Sequence, residues 1–265
     1  RIKRDVLEQS SIGLISTLGD PNSDEHASTH GVDFRHRTDK LFGNRVFEAN
    51  SYLLSSHNSA QDDGTAFSLE LLYPNDLINA GATYYRIDED FDPKLGYVRR
   101  TGVNKFQNHV SWQPRFDNSQ VVRQAFLSYT NSIYANLGGG GETIENSVVL
   151  PRIMLESTDE IFLKYSHFRD NPDYNFLVPG AGTINEGDYE WNTIAIGGGL
   201  SNKRKLGATA SVAIHDDWYD WDRTDYNLGF RWSINKHLLL STSHRYSHFE
   251  QKDEDEDVLL NSARL

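Results

Sequence analysis

The sequence predicts an all-β protein, an antiparallel up-and-down transmembrane β-barrel with about fourteen strands in this chain. Three observations predict it. Connections alternate in length, apolar residues recur at period two, and the strand-like segments run to roughly 10 residues. That length is long for a soluble sandwich and suits a tilted membrane crossing.

Every second connection is tight: Phe42-Gly43-Asn44, Pro74-Asn75-Asp76, Phe116-Asp117-Asn118, Ser157-Thr158-Asp159 and Ile234-Asn235-Lys236. The intervening ones are long, polar and acidic, as from Gly19 to Thr29, Glu89 to Val103 and Arg169 to Gly187. In a barrel the long loops face outside and the tight turns face the periplasm.

The strands follow in order. Segments 6–17 and 30–41 flank the first long connection, and 45–56 follows the first tight turn. In 65–73, Phe67, Leu69, Leu71 and Tyr73 share one face, with Ser68 and Glu70 on the other. Segment 77–88 runs from the second tight turn to an acidic run. In 104–114, Phe106, Val110 and Trp112 oppose Gln107, His109, Ser111 and Gln113. Segments 119–137 and 142–156 flank Gly138-Gly139-Gly140-Gly141. In 160–168, Lys164 lies between Leu163 and Tyr165, and 188–200 follows the longest loop. In 205–215, Ala208, Ala210, Val212 and Ile214 oppose Thr209 and Ser211. In 224–233, Tyr226, Leu228, Phe230 and Trp232 oppose Asn227, Gly229 and Arg231. Segments 237–249 and 257–265 complete the set. Period-two alternation is the mark of a half-buried strand. The barrel puts Phe67, Leu69, Leu71, Val212, Leu228 and Phe230 against lipid. Arg35, Arg37, Glu48, Glu70, Lys164 and Arg231 then face the lumen, where charges select solutes or pair with one another.

Composition agrees. Hydrophobic residues are 37% of the 265 residues, and the mean hydropathy is -0.61. No apolar run approaches the ~18 residues of a membrane helix. A barrel tolerates such polarity because only alternate residues meet lipid. With 13 Tyr, 13 Phe and 5 Trp, rings are available for both membrane interfaces. The absence of Cys removes disulfide and Cys-zinc chemistry. A net charge of -12 disfavours a nucleic-acid surface. Arg1-Ile2-Lys3-Arg4-Asp5 is followed by no signal-like apolar stretch, so the chain reads as part of a longer polypeptide.

Chemistry is sparser. Asp88-Glu89-Asp90 with Asp92, Asp216-Asp217 with Asp220 and Asp222, and Asp253 to Asp257 all fall in predicted outer loops. Asp216, Asp217, Asp220 and Asp222 are weak Ca²⁺ candidates without EF-hand spacing, and a solvated acidic loop is the simpler reading. No other cofactor is expected. Trp218, Tyr219 and Trp221 beside these carboxylates suit sugar stacking, though an interfacial girdle explains them more simply. Ser243, His244, Ser247 and His248 supply the residue types of a hydrolase without any specific motif, so no catalytic residue is assigned. Carboxylates are plentiful, but sequence cannot place a glycosidase pair. The glycine run lacks the Lys of a phosphate loop.

Several stretches are similar to a known pattern: Asp92-Pro93-Lys94-Leu95-Gly96-Tyr97-Val98-Arg99-Arg100-Thr101-Gly102-Val103 before Ser111-Trp112-Gln113-Pro114, His30 to Arg35, Gly187 to Trp191, Ser211 to Asp222, and Tyr226 to Trp232. From about Arg4 onward the chain resembles the barrel region of a bacterial outer-membrane family of unknown function. Its members usually carry an N-terminal module similar to carbohydrate-binding family 9. The resemblance implies a fold and a bacterial outer-membrane address, and no catalytic residues.

The expected function is a porin-like barrel passing solute or polysaccharide. The alternative is a cell-surface scaffold or carbohydrate-interaction protein, with an outer-membrane hydrolase third. Expected partners are outer-membrane lipid and lipopolysaccharide. A polysaccharide or protein partner would meet the loops Arg169 to Gly187 and Asp216 to Asp222, through Tyr174, Phe176, Leu177, Trp218, Tyr219 and Trp221. That first loop is long enough to be functional or disordered.

Overall fold

The structure, a computed structural model, describes residues 1–23, 26–59, 61–98, 100–139, 141–179, 182–251 and 254–264. Among these residues there are seventeen strands and no helix. They divide into two compact units, Arg1–Val110 with Asn131–Glu142, and Ser111–Thr130 with Thr143–Leu265.

The first unit contains β1 (Ile2–Val6), β2 (Ser10–Leu18), β3 (Ala27–Leu41), β4 (Arg45–Asn58), β5 (Gln61–Pro74), β6 (Ile78–Ile87) and most of β7 (Val103–Trp112). β8 (Val122–Asn136) is divided between the units. The second continues with β9 (Thr143–Leu155), β10 (Glu160–Asp170), β11 (Phe176–Val178), β12 (Gly182–Ile184), β13 (Tyr189–Gly199), β14 (Leu206–Trp218), β15 (Trp221–Asn235), β16 (Leu238–Gln251) and β17 (Glu254–Arg264). Within each unit the strands stand in chain order and pair antiparallel with their chain neighbours, as the up-and-down expectation requires. β11 and β12 form a separate hairpin.

Each of the fourteen expected strands is present. The additional ones have local causes. Leu7 adopts φ 57°, breaking off β1 before β2. The β11–β12 hairpin forms inside the connection expected to lack regular structure.

The alternation of connector length is only partly realised. The connections 19–26, 88–102 and 171–188 are long, but β4 and β5 are separated by residues 59 and 60 alone. β14 and β15 are separated by Tyr219 and Asp220 alone. Asp216 and Asp217 therefore belong to β14 and Asp222 to β15, not to a long loop. Beyond the apolar band both faces of a strand meet polar surroundings, so alternation stops while backbone pairing continues. Asp253 lies outside the described residues, and Asp257 is in β17.

Side-chain polarity is inverted relative to a water-soluble sheet. The register aligns Leu163, Ile196, Val212, Tyr226, Tyr246 and Leu259 in one row across β10 and β13–β17. On this apolar face Ile196 is 62% exposed and Phe230 49%. On the opposite face Ser166 is 1% exposed and Ser247 4%. In the first unit Leu53, Phe67, Leu69 and Leu71 are exposed, whereas Ser56 and Ser68 are buried. The apolar stretch of β14 from Leu206 to Ile214 covers about 27 Å along the strand at ~3.4 Å per residue. Tilt brings that close to the height of a membrane-barrel apolar band.

In the first unit the connection 88–102 folds back on the sheltered face. Phe91 is 3% exposed, and the Asp92 amide donates to Ser56 Oγ at 3.0 Å. Gly64 permits this approach, because a Cβ there would collide with the backbone of Asp90 and Phe91. Gly64→Ala should therefore push the segment off the wall, at about 1–3 kcal/mol. Faster limited proteolysis within 88–102 is the expected readout; an unchanged cleavage rate would contradict this packing.

Candidate functional site

The lumenal candidates lie on the polar face and are largely paired. Arg35 and Arg37 both reach Glu48, at 2.9 and 3.6 Å. Asn50 Nδ2 donates to Glu70 at 2.7 Å, and Lys164 sits 3.7 Å from Glu145. Arg231 donates to the Asn202 carbonyl at 3.0 Å. Lys105 lies over the rings of Tyr134, at 4.8 Å, and Tyr85, at 5.8 Å.

The densest constellation is at the loop end of the second unit. β14 and β15 close through a two-residue turn whose residues both have positive φ, Tyr219 at 52° and Asp220 at 67°. Positive φ at both central residues gives the twist that matches paired strands. The bulge preceding it, with Asp217 at φ 53°, lets Trp218 pair with Trp221. Tyr219 is thereby aimed at the sheltered face. Its ring lies 4.9 Å from those of Tyr189, Trp191 and Trp218, and 5.6 Å from Phe176 on β11. Trp221 and Phe249 are buried beside them with Ile184 of β12. Aromatic pairs of this kind add roughly 0.5–1.5 kcal/mol each beyond area burial. The cluster therefore clamps the β11–β12 hairpin onto the wall.

A polar network underlies the rings. The Tyr219 hydroxyl donates to Asp170 Oδ2 at 2.5 Å. Burial, and then that carboxylate, push its ionisation far above the ordinary tyrosine range, so it remains a donor at any physiological pH. Arg223 stacks 4.6 Å over Trp218 and forks onto Asp225 with two bonds of 2.9 Å. Ser247 Oγ donates to Asp225 at 2.6 Å, and His215 pairs with Thr193 through Nδ1 at 2.8 Å while its Nε2 stands 3.3 Å from Asp225 without a hydrogen bond. At the rim, Arg169 donates to Asp188 and holds that carboxyl below its usual range.

The structure thus brings Phe176, Trp218, Tyr219 and Trp221 together, with Tyr174 at the edge, 6.2 Å from Phe176 and 64% exposed. It corrects the girdle reading of Trp218 and Trp221, which turn toward the cluster and not toward the apolar face. These rings pack on one another, so few faces are left for stacking a sugar. The acidic residues are dispersed: Asp216 accepts from the Asn192 amide at 2.6 Å, and Asp222 from the Asp217 amide at 3.2 Å. Among the described residues no three His, Asp or Glu side chains converge in a way that could hold a metal ion.

Nor do the hydrolase candidates assemble. Ser243 and Ser247 share the polar face, whereas His244 and His248 lie on the other. His244 pairs with Asn261 at 2.6 Å and His248 with Asp257 at 2.9 Å. The glycine run is a turn with Gly139 and Gly141 at positive φ; Gly140 lies outside the described residues. Sequence reasoning missed Tyr189, Trp191, Arg223, Asp225 and Phe249. The available signal was the spacing of Tyr189 and Trp191 by two, which puts both on the face that Tyr219 covers.

No family model matches the chain, and no curated protein matches it. Among solved structures, an anion-selective porin from Comamonas acidovorans aligns with a TM-score of 0.44 and 13% identity, over 97% of this chain and 100% of that one. A doubly substituted porin of Rh. blastica aligns at 0.35 and 11% identity, over 96% and 98%. Likeness at these scores carries no weight for fold or function.

Proposed function

We propose that the chain is an outer-membrane β-barrel protein acting as a porin-like channel, its polar face lining a water-filled lumen and its apolar face meeting lipid. The inverted polarity of the antiparallel meander carries this reading. Large apolar side chains are exposed on one face of the strands, while buried serines and the charged pairs occupy the other. Lipid makes that arrangement favourable and water does not. Reconstituted protein should admit small sugars in liposome-swelling assays and give discrete conductance steps in planar bilayers. Impermeable liposomes containing folded protein would refute the channel.

A cell-surface scaffold role is the second reading, favoured by the β11–β12 hairpin clamped over the polar face and by the exposure of Tyr174 and Leu177 beside it. The resemblance to a family with a carbohydrate-binding module supports it only for a module other than this barrel region. Deleting residues 172–182 separates the two. Conductance should rise if the hairpin constricts the channel. Unchanged conductance with loss of polysaccharide pull-down would favour the scaffold.

A further inference from the structure

Charge on the polar face of the second unit is sorted by depth. Toward the aromatic cluster the acids are engaged: Asp170 with Tyr219 and Thr143, Asp225 with Arg223, Ser247 and His215, and Glu145 with Lys164. Farther along β15–β17 the same face turns basic. Arg231, Ser241 and Arg264 form one row, Gly229, Ser243 and Ser262 the next, and Asn227, Arg245 and Leu260 a third. Arg231 and Arg264 stand two strands apart, roughly 10 Å by strand spacing. No described carboxylate pairs with any of these three arginines.

Between them lies a cavity of about 330 Å³ lined by the polar residues Thr209, Asn227, Ser243, His244, Arg245, Asn261 and Ser262, with Leu228, Gly229 and Leu260. Arg245 Nε donates to Asn227 Oδ1 at 2.9 Å, which fixes the guanidinium plane and leaves both terminal nitrogens free to serve as donors. Ser243 and Ser262 face each other at 2.7 Å, and Thr209 leans into the space that Gly229 leaves without a side chain. A fixed guanidinium beside three hydroxyls, with no carboxylate in the lining, matches an oxyanion. Sugar hydroxyls are usually met by carboxylate acceptors, which this lining lacks, and a cation would meet only positive charge.

We infer that this cavity binds a small oxyanion, the phosphate or carboxylate group of a solute, with Arg245 as its principal donor and Arg231 and Arg264 raising the local anion concentration. The inference rests on the reading of the polar face as water-filled.

The test is titration of the full chain, refolded in detergent at constant ionic strength, with inorganic phosphate and separately with acetate, followed calorimetrically. Saturable binding of either probe is expected, and the tighter one names the group. Arg245→Gln should weaken it at least ~10-fold, Arg245→Lys less, and His248→Gln, on the opposite face and outside the lining, not at all. Slow migration on unheated gels identifies folded variants; should Arg245→Gln not fold, Ser243→Ala with Ser262→Ala is expected to weaken binding by several-fold. Non-saturable binding, full binding by a folded Arg245→Gln, or equal binding of glucose would overturn the site. Protein that conducts but binds neither probe refutes this site alone. Protein that binds without conducting refutes the channel alone.

Discussion

Val212→Arg should destabilise the folded protein in a bilayer by roughly 2–4 kcal/mol, while Ala213→Arg, one residue along the same strand, should cost less than about 1 kcal/mol. Val212 lies mid-row on the apolar face between Ile196 and Tyr226. A guanidinium there would have to enter hydrocarbon or distort the strand to reach water. Ala213 points to the polar face, opposite Ala195 and Asp225. A new cation at that position stays on the polar face, near the Asp225 carboxylate. The comparison is direct because neighbouring strand residues differ in face and hardly at all in depth. Denaturant titration of liposome-inserted protein, scored by the folded band on unheated gels, measures both variants. In a water-soluble sheet neither substitution would exceed ~0.5 kcal/mol, and equal effects would overturn the assignment of faces.

Phe249→Ala is expected to cost about 3–5 kcal/mol, the range for a fully buried aromatic ring. At 2% exposure, Phe249 touches Trp218, Trp221 and the Arg223 guanidinium. Its removal leaves a void under the clamp that holds β11 and β12. Tyr219→Phe keeps every ring contact and loses only the bond to Asp170, so about 1–3 kcal/mol is expected from the carboxylate oxygen that loses its donor, the other keeping Thr143. Protease sensitivity of 171–188 should rise sharply in the first variant and modestly in the second. A loss under ~1 kcal/mol for Phe249→Ala would mean that the cluster does not hold the hairpin.

The strands and their faces were legible because one apolar and one polar face impose a strict two-residue period. Phe67, Leu69, Leu71, Leu228 and Phe230 lie on the exposed apolar face as expected, opposite Glu70 and Arg231. Past the apolar band that period lapses. The acidic stretch 216–222 therefore read as loop although its backbone pairs to within two residues of the tip. Its three non-glycine residues at positive φ, Asp217, Tyr219 and Asp220, hide the turn further, since each carries a local cost that the ring contacts offset. The aromatic site was half legible. Tyr174, Phe176, Trp218, Tyr219 and Trp221 were conspicuous, but Tyr189, Trp191 and Phe249 reach them from strands distant in sequence, through a register that no local pattern reveals.

Pairing between chain neighbours also bears on how the protein assembles. Loop-closure entropy grows with the length of chain enclosed, and here most closures are those of a single hairpin. Sheet growth can then proceed by adding one strand at a time to an existing edge, without a search among distant partners. The excursion between β10 and β13 is the exception, where the chain must set aside a small hairpin before the next strand docks. The pairing of Glu160 to Asp170 with Tyr189 to Gly199 is thus the slowest closure in the second unit, and the aromatic clamp that later covers the excursion can form only after β14, β15 and β16 have been laid down.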